Sequence, residues 1–208
     1  QYALGSVCGR RDSIGDHERY TRLEFCMLKG TKVNLRILER SDLPLLQSWV
    51  NDIDFVGEFE PFAQQSMDRM EKDFGGPGES RIFLIEDKKG SELGYIAYFD
   101  TGDARGCKGI GYMLQPAERG KGYGSEAVQM MVDYLFLNHD IVRIQAETHP
   151  DNAGSQRVLQ KAGFTKEGLI RKSFFSRGVY RDTAMWSILR EEWKRPRVLP
   201  LGYVSENA

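Results

Sequence analysis

The sequence holds no apolar run approaching the roughly 18 residues that a membrane-crossing helix needs. Its opening residues also lack the apolar core of a signal peptide. A membrane partner is therefore not expected. Net charge is nearly absent: 29 Lys and Arg stand against 30 Asp and Glu, a formal −1. A global basic footprint is missing, which argues against nucleic acid as a partner. Cysteine is scarce. Cys8, Cys26 and Cys107 are odd in number and without metal-ligand spacing, so no metal is expected. The plain reading is a reducing, cytoplasmic protein with free thiols, and a Cys8–Cys26 disulfide is the alternative. Internal repeats and low-complexity tracts are also missing. What remains is ordinary for a folded domain: 208 residues, 40% hydrophobic and 28% charged.

Residues 1–26 show neither a helical nor a strand period and read as a poorly ordered leader or extension, with Met27 as the natural start. An arm that packs on a partner is the other reading. The domain is expected over 27–193, followed by a tail over 194–208 that carries Pro196 and Pro200 and should fray. Val33, Leu35 and Ile37 alternate with polar residues, a half-buried strand. Ser41 suits an N-cap, and Asp42 a first helical turn, with Leu46, Trp49 and Val50 on one face. Residues 51–80 are weakly patterned, with one short helix expected near 66–74. Strands follow at 81–86 and 93–99 around an Asp-Lys-Lys-Gly-Ser turn, and at 108–114. A helix over 125–137 presents Ala127, Val128, Met131 and Leu135 to a core. A strand at 142–148 precedes a short helix at 155–162, which Gly163 stops. A hairpin of 165–174 and 180–188 closes the pattern. The order β–α–α–β–β–β–α–β–α–β–β predicts a mixed sheet with helices on both faces, an α/β fold of α+β type.

The most informative stretch is Arg119-Gly120-Lys121-Gly122-Tyr123-Gly124-Ser125, where a strand runs into a glycine-rich loop that opens an amphipathic helix. The first amides of a helix lack internal partners and carry part of its positive macrodipole. Glycines let the backbone curl and let a phosphate come close. Such a place binds an anion such as a diphosphate, and Arg119 and Lys121 add charge nearby. A Walker loop would need Ser or Thr after Gly120-Lys121, where Gly122 stands. Gly122 to Ala127 fits the relaxed dinucleotide pattern. However, polar loop residues separate the pattern from the strand, where that fold needs a tight turn.

Arg119-Gly120-Lys121-Gly122-Tyr123-Gly124 resembles the R-x-x-G-x-G acetyl-CoA loop of the GNAT superfamily of N-acetyltransferases. Asn152-Ala153-Gly154-Ser155, followed by Lys161-Ala162-Gly163-Phe164, is similar to that family's N-x-x-S…K-x-G-F segment. Tyr180-Arg181-Asp182 looks like the Rim-type branch, which acetylates protein N-termini. The likeness covers about residues 29–193. It implies a single GNAT-like domain with a mostly antiparallel sheet, splayed between the fourth and fifth predicted strands (108–114 and 142–148). It also implies that acetyl-CoA inserts its pantetheine arm there, paired with backbone near Met113 and Leu114 and flanked by Asn152.

The resemblance implies acetyl transfer to a primary amine, either a protein N-terminal α-amine or a small molecule such as an antibiotic, polyamine or amino acid. A non-catalytic acyl-CoA sensor and a nucleotide-dependent oxidoreductase are the rivals, and a homodimer is allowed. Attack requires a neutral amine. An α-amine titrates near about 8 and a lysine near about 10.4, so a base is useful. Glu147, five residues before Asn152, is the expected base, with His149 as runner-up. Its spacing resembles the catalytic glutamate of one ribosomal-protein acetyltransferase. Glu58 and Glu60 could draw in a cationic amine, against ordinary surface charge as the plainer reading. Ser155 is the expected proton or hydrogen-bond donor to the leaving thiolate, because Leu159 stands where many family members have tyrosine. The alternative for Ser155 is a first-turn residue satisfying backbone. Arg157 and Lys161 could reach cofactor phosphates or face solvent. Phe55, Phe59, Phe62, Phe174, Phe175 and Tyr180 could line an acceptor cleft, or pack in a core.

Overall fold

The computed structural model describes residues 27–74, 81–102 and 106–199. The chain runs β1 (Met27–Lys29), β2 (Val33–Ile37), a 3-10 turn (Arg40–Asp42), α1 (Leu43–Val50), α2 (Ile53–Val56) and α3 (Met67–Asp73). It continues through β3 (Arg81–Asp87), β4 (Glu92–Asp100), β5 (Cys107–Leu114), a 3-10 turn (Pro116–Glu118) and α4 (Tyr123–Asn138). Then come β6 (Arg143–Thr148), α5 (Ala153–Ala162), β7 (Thr165–Ser176) and β8 (Val179–Leu189). The strands form one open sheet in the order β1-β2-β3-β4-β5-β6-β8-β7. The β5–β6 pair is parallel and the other six pairs are antiparallel. This is the expected mixed sheet with helices on both faces.

The helices divide between the two faces because their apolar stripes do. Ala127, Val128, Met131 and Leu135 of α4 and Leu159 of α5 pack on Leu35, Ile85, Ile96, Ile110, Ile144 and Trp186. On the other face Leu43, Leu46 and Trp49 of α1, Phe55 of α2 and Met70 of α3 cover Leu84, with Tyr95 and Met113 packed alongside. β3 is covered on both sides, since Leu84 and its neighbour Ile85 are both at 0% exposure. Each fully buried Leu or Met side chain contributes about 1.5–3 kcal/mol. Edge strand β7 is exposed along most of its length and carries Lys166, Arg171 and Lys172, charges that discourage strand addition.

Strand β1 and helix α2 are additions to the expected order, and three further details differ from the sequence pattern. The helix expected from 125 begins at Tyr123, directly after a left-handed Gly122, so the glycine loop and the helix start are one feature. Ser41 does not cap α1, and Asp42 does not simply serve the helix dipole. The Asp42 carboxylate accepts from Arg36 Nη1 at 2.8 Å and from the Glu39 amide at 2.8 Å. Arg36 also donates to Glu86 at 2.6 Å, making a largely buried three-residue ion network. Residues 194–199 lie against the domain. Buried Asp133 of α4 accepts from Trp193 Nε1 at 2.9 Å and from the amides of Arg197, Val198 and Leu199, which pins this segment to the domain. Cys107 is a buried free thiol, and Cys8 and Cys26 lie outside the described residues. No helix among the described residues is long and apolar enough to cross a membrane.

Candidate active site

β5 and β6 stay paired only from Cys107 opposite Arg143 to Ile110 opposite Ala146. β5 runs on to Leu114 and β6 to Thr148, so the two strands part. Gly111, Tyr112, Met113 and Leu114 remain paired with β4 on their other side. Backbone donors and acceptors on the free edge of β5 thus face a gap inside the sheet, where they need a partner. The splay lies where the sequence predicted it, and Met113 and Leu114 border it.

From the end of β5 the chain turns through Pro116–Glu118 and enters α4. Gly120 (φ 79°) and Gly122 (φ 89°) are left-handed, a conformation that costs other residues roughly 1–2 kcal/mol. No side chain caps α4 at Gly122, so its first amides keep their donors for an outside acceptor. Gly124 has a different task. A Cβ there would lie 3.4 Å from Leu114 Cδ1 and 3.7 Å from Val158 Cγ2, so its bareness allows the helix to sit close on β5 and α5. Arg119 braces the loop, with Nε donating to the Leu114 carbonyl at 3.0 Å and Nη2 to the Phe55 carbonyl at 2.7 Å. Lys121 pairs with Glu118 at 3.0 Å. Buried Glu126 accepts from the amides of Thr31 and Lys32, the latter at 2.7 Å, and so ties the β1–β2 turn to the first turn of α4. This brings Lys32 to the loop, its Nζ 3.1 Å from where a Gly122 Cβ would lie.

Across the gap, Asn152 caps α5 by accepting from the Ser155 amide at 3.0 Å. Ser155 Oγ lies 2.9 Å from the Tyr112 hydroxyl, which also approaches the Ser155 carbonyl at 3.3 Å. The Ser155 hydroxyl therefore pairs with a strand residue beside the gap, and backbone capping falls to Asn152. Burial pushes the Tyr112 hydroxyl up to about 12, against the lowering effect of its bond to Ser155. It stays protonated at neutral pH and able to donate. His149 is buried and packs against Phe59 with ring centroids 5.1 Å apart and the planes tilted. Its Nδ1 accepts from the Asp151 amide at 3.1 Å, which puts the proton of the neutral ring on Nε2.

The acidic groups sit on the α1–α3 side. Glu147 ends up exposed on β6, opposite Met185 of β8. Glu60 is half-buried, and its carboxyl is raised above the ordinary carboxylate value first by burial and then by the Glu147 charge. Tyr95 is pushed up to about 12 by burial and then by Glu60, and its hydroxyl lies 3.3 Å from Met113 Sδ. Glu60, Tyr95 and Met113 share the wall of a cavity of about 420 Å³ under α1 and α3. The sequence reading weighed Glu60 chiefly as surface charge. The fold puts it between an apolar cavity and the gap.

The expected residues thus fall in two groups. Arg119, Gly120, Lys121, Gly122, Tyr123, Gly124 and Ser125 form the continuous entry to α4, and Asn152 and Ser155 open α5. Arg157 and Lys161 are exposed on α5, and Glu58 is exposed. The aromatics do not assemble into one wall. Phe55 stacks on Trp49 at 5.2 Å in the core, while Phe175 and Tyr180 pair on the outer hairpin. Sequence reasoning missed Lys32, Tyr95 and Tyr112 and the role of Glu126. A buried acid in the first turn of an apolar helix was the available sign for Glu126.

Comparison with known proteins agrees with this geometry. The family description "Acetyltransferase (GNAT) domain" matches residues 32–165. "Probable N-acetyltransferase YjcK" of Bacillus subtilis is 47% identical over 190 residues, covering 80% of this chain and 98% of that protein. Spermidine N-acetyltransferase from Vibrio cholerae, solved with CoA and spermine, superimposes with a TM-score of 0.69 at 22% identity, over 78% of this chain and 98% of that one. RimL, a ribosomal alpha-N-protein acetyltransferase solved with coenzyme A, gives 0.67 at 20% identity, over 78% and 97%.

Proposed function

The chain belongs to the GNAT acetyltransferase family and is an N-acetyltransferase, and from that premise we propose that it acetylates a primary amine, such as a protein N-terminal α-amine, by direct attack in a ternary complex. One observation carries this reading: the free edge of β5 leads, through the turn at Pro116–Glu118, to an uncapped helix start preceded by two left-handed glycines. That continuous strip suits a ligand with an amide-containing arm and a diphosphate. Acetyl-CoA is such a ligand, and its thioester supplies the activated acyl carbon.

Gly120, Lys121, Gly122, Tyr123, Gly124 and Ser125 would hold the diphosphate through their backbone. Arg119 keeps the loop in shape, and Lys32 joins Lys121 as nearby positive charge. Met113 and Leu114 would pair with the arm, and Asn152 fixes the start of α5 beside it. The amine enters from the opposite face. Glu147 takes its proton, directly or through a water, so the neutral nitrogen bonds to the acyl carbon as the C–S bond breaks. Ser155 gives its proton to the departing sulfur and recovers one from the acylated nitrogen, which sheds its surplus proton to become the amide. Donation from the Tyr112 hydroxyl to Ser155 Oγ, one of the two directions open to this pair, would leave the serine proton to face the gap. A cytoplasmic setting is part of this proposal, in keeping with the free thiol of Cys107.

Thiol release from acetyl-CoA tests the reading, using a panel of peptides, amino acid amides and polyamines. Release with at least one amine, together with a higher melting temperature in coenzyme A but not in NAD, is expected. The absence of both thiol release and stabilisation would overturn it.

A further inference from the structure

The cavity beside Glu60 has a composition that bears on the acceptor. Its walls include Leu46, Val50, Val56 and Met70, it reaches Met113 at the edge of the gap, and Glu60 sits at that same wall. The segment bearing Glu60 is held at several points. Ser176 Oγ donates to the Glu60 carbonyl at 3.5 Å, and Arg177 donates to the Gly57 carbonyl at 2.7 Å. At its far end Asn51 both donates to and accepts from the Gln65 backbone, at 2.9 and 2.7 Å. Glu60 is therefore fixed in place by α1 on one side and by the β7–β8 turn on the other.

The groups facing Glu60 are Glu147 on β6, Tyr95 on β4 and Tyr112 on β5, with Asp73 of α3 on the same cavity. None of them is a cation. Asp73 is already engaged by Arg69 at 2.8 Å, out on the surface. Two carboxylates at a gap, one of them half-buried and not offset by a basic side chain among the described residues, make a place that favours an incoming cation. Beyond Glu60 the walls are largely aliphatic. Among the described residues, the one other carboxylate on that wall, Asp73, is already paired with Arg69, so a second ammonium group lodged there would have to displace an existing ion pair.

We propose that Glu60 and the cavity select an acceptor with one ammonium group, held by Glu60, and one apolar group lodged against Leu46, Val50 and Met70. The acceptor is thus an apolar primary amine, such as an N-terminus with an apolar side chain, and not a polyamine. This rests on the acetyl-transfer reading and deepens it by naming the acceptor class.

The test compares leucinamide, phenylalaninamide, glycinamide and spermidine with acetyl-CoA, read by thiol release. Leucinamide and phenylalaninamide should exceed both others by at least about 10-fold in kcat/KM, since one methylene in an apolar pocket is worth 10-fold or more. Leu46→Trp, which fills the cavity, should raise KM for leucinamide at least about 10-fold and leave KM for acetyl-CoA within about 2-fold. Glu60→Gln should raise the amine KM by a similar factor. Because burial penalises the ionised carboxylate in the folded state, the variant should melt no lower than the parent at pH 7, which separates a binding defect from a folding defect. A spermidine preference, or leucinamide and glycinamide within about 3-fold, overturns the proposal and leaves acetyl transfer standing. Absence of turnover with every amine counts against both.

Discussion

Replacing Gly122 by Ala probes the helix start with two internal controls. Gly90, Gly120 and Gly122 are all left-handed, with φ of 86°, 79° and 89°. An alanine at each should cost roughly 1–2 kcal/mol of stability from backbone conformation. Steric crowding adds little. A Cβ meets nothing within 4 Å at Gly90 or Gly120, and at Gly122 only the end of the flexible Lys32 chain. The three variants should therefore lose similar stability in urea titrations. They should part company in binding. Gly90 lies in the β3–β4 turn, outside the 119–125 segment, so Gly90→Ala should keep its coenzyme A Kd within about 2-fold. In Gly120→Ala and Gly122→Ala the strain is relieved by turning the peptide planes that would grip the diphosphate. Losing about 1.4 kcal/mol of that interaction weakens binding 10-fold. Calorimetry with coenzyme A reads this directly. If Gly122→Ala binds coenzyme A like the parent while losing stability like Gly90→Ala, the loop does not hold the diphosphate.

Other perturbations reach different parts of the account. Ser155→Ala should lower kcat by about 10²–10⁴, and single-turnover rates within about 3-fold of the parent would remove Ser155 from proton transfer. Tyr112→Phe should give a smaller loss on the same readout, because it removes the partner of Ser155 and not the donor itself. Stability should also depend on acid through Glu167, whose carboxyl is lowered from 4.5 to about 2, chiefly by Arg143 and then by Ser187. The folded value lies below the unfolded one, so the stabilisation is present above about pH 4.5 and is lost as pH falls toward 2. The pair is partly exposed, so solvent screening limits it to about 1 kcal/mol. Glu167→Gln should flatten the melting temperature over that pH range, and an unchanged acid slope would contradict the assignment.

What the sequence made legible was local chemistry. Alternation in 33–37 and the apolar stripe of 127–135 gave strand and helix, and the glycines at 120, 122 and 124 gave the loop, because each signal lies within a few residues. Glu60 was visible as a residue that could draw in an amine, but the cavity beside it was hidden for the opposite reason. Residues 57–66 have no period, and their shape comes from distant tethers such as Ser176 to Glu60 and Arg177 to Gly57. Tyr112 read as an ordinary strand residue. Its meeting with Ser155 needed the fold that sets the start of α5 across from the free end of β5. Asp133, polar within an apolar helix, was a visible anomaly, and its explanation lay in the segment expected to fray.

The central claim is that main-chain amides entering α4 grip a diphosphate while the free edge of β5 guides the thioester toward the amine. A crystal structure of the protein with coenzyme A tests it most directly. The account predicts phosphate oxygens on the amides of residues 120–125 and the pantetheine arm paired with residues 111–114. Coenzyme A bound elsewhere, with that strip empty, would contradict it.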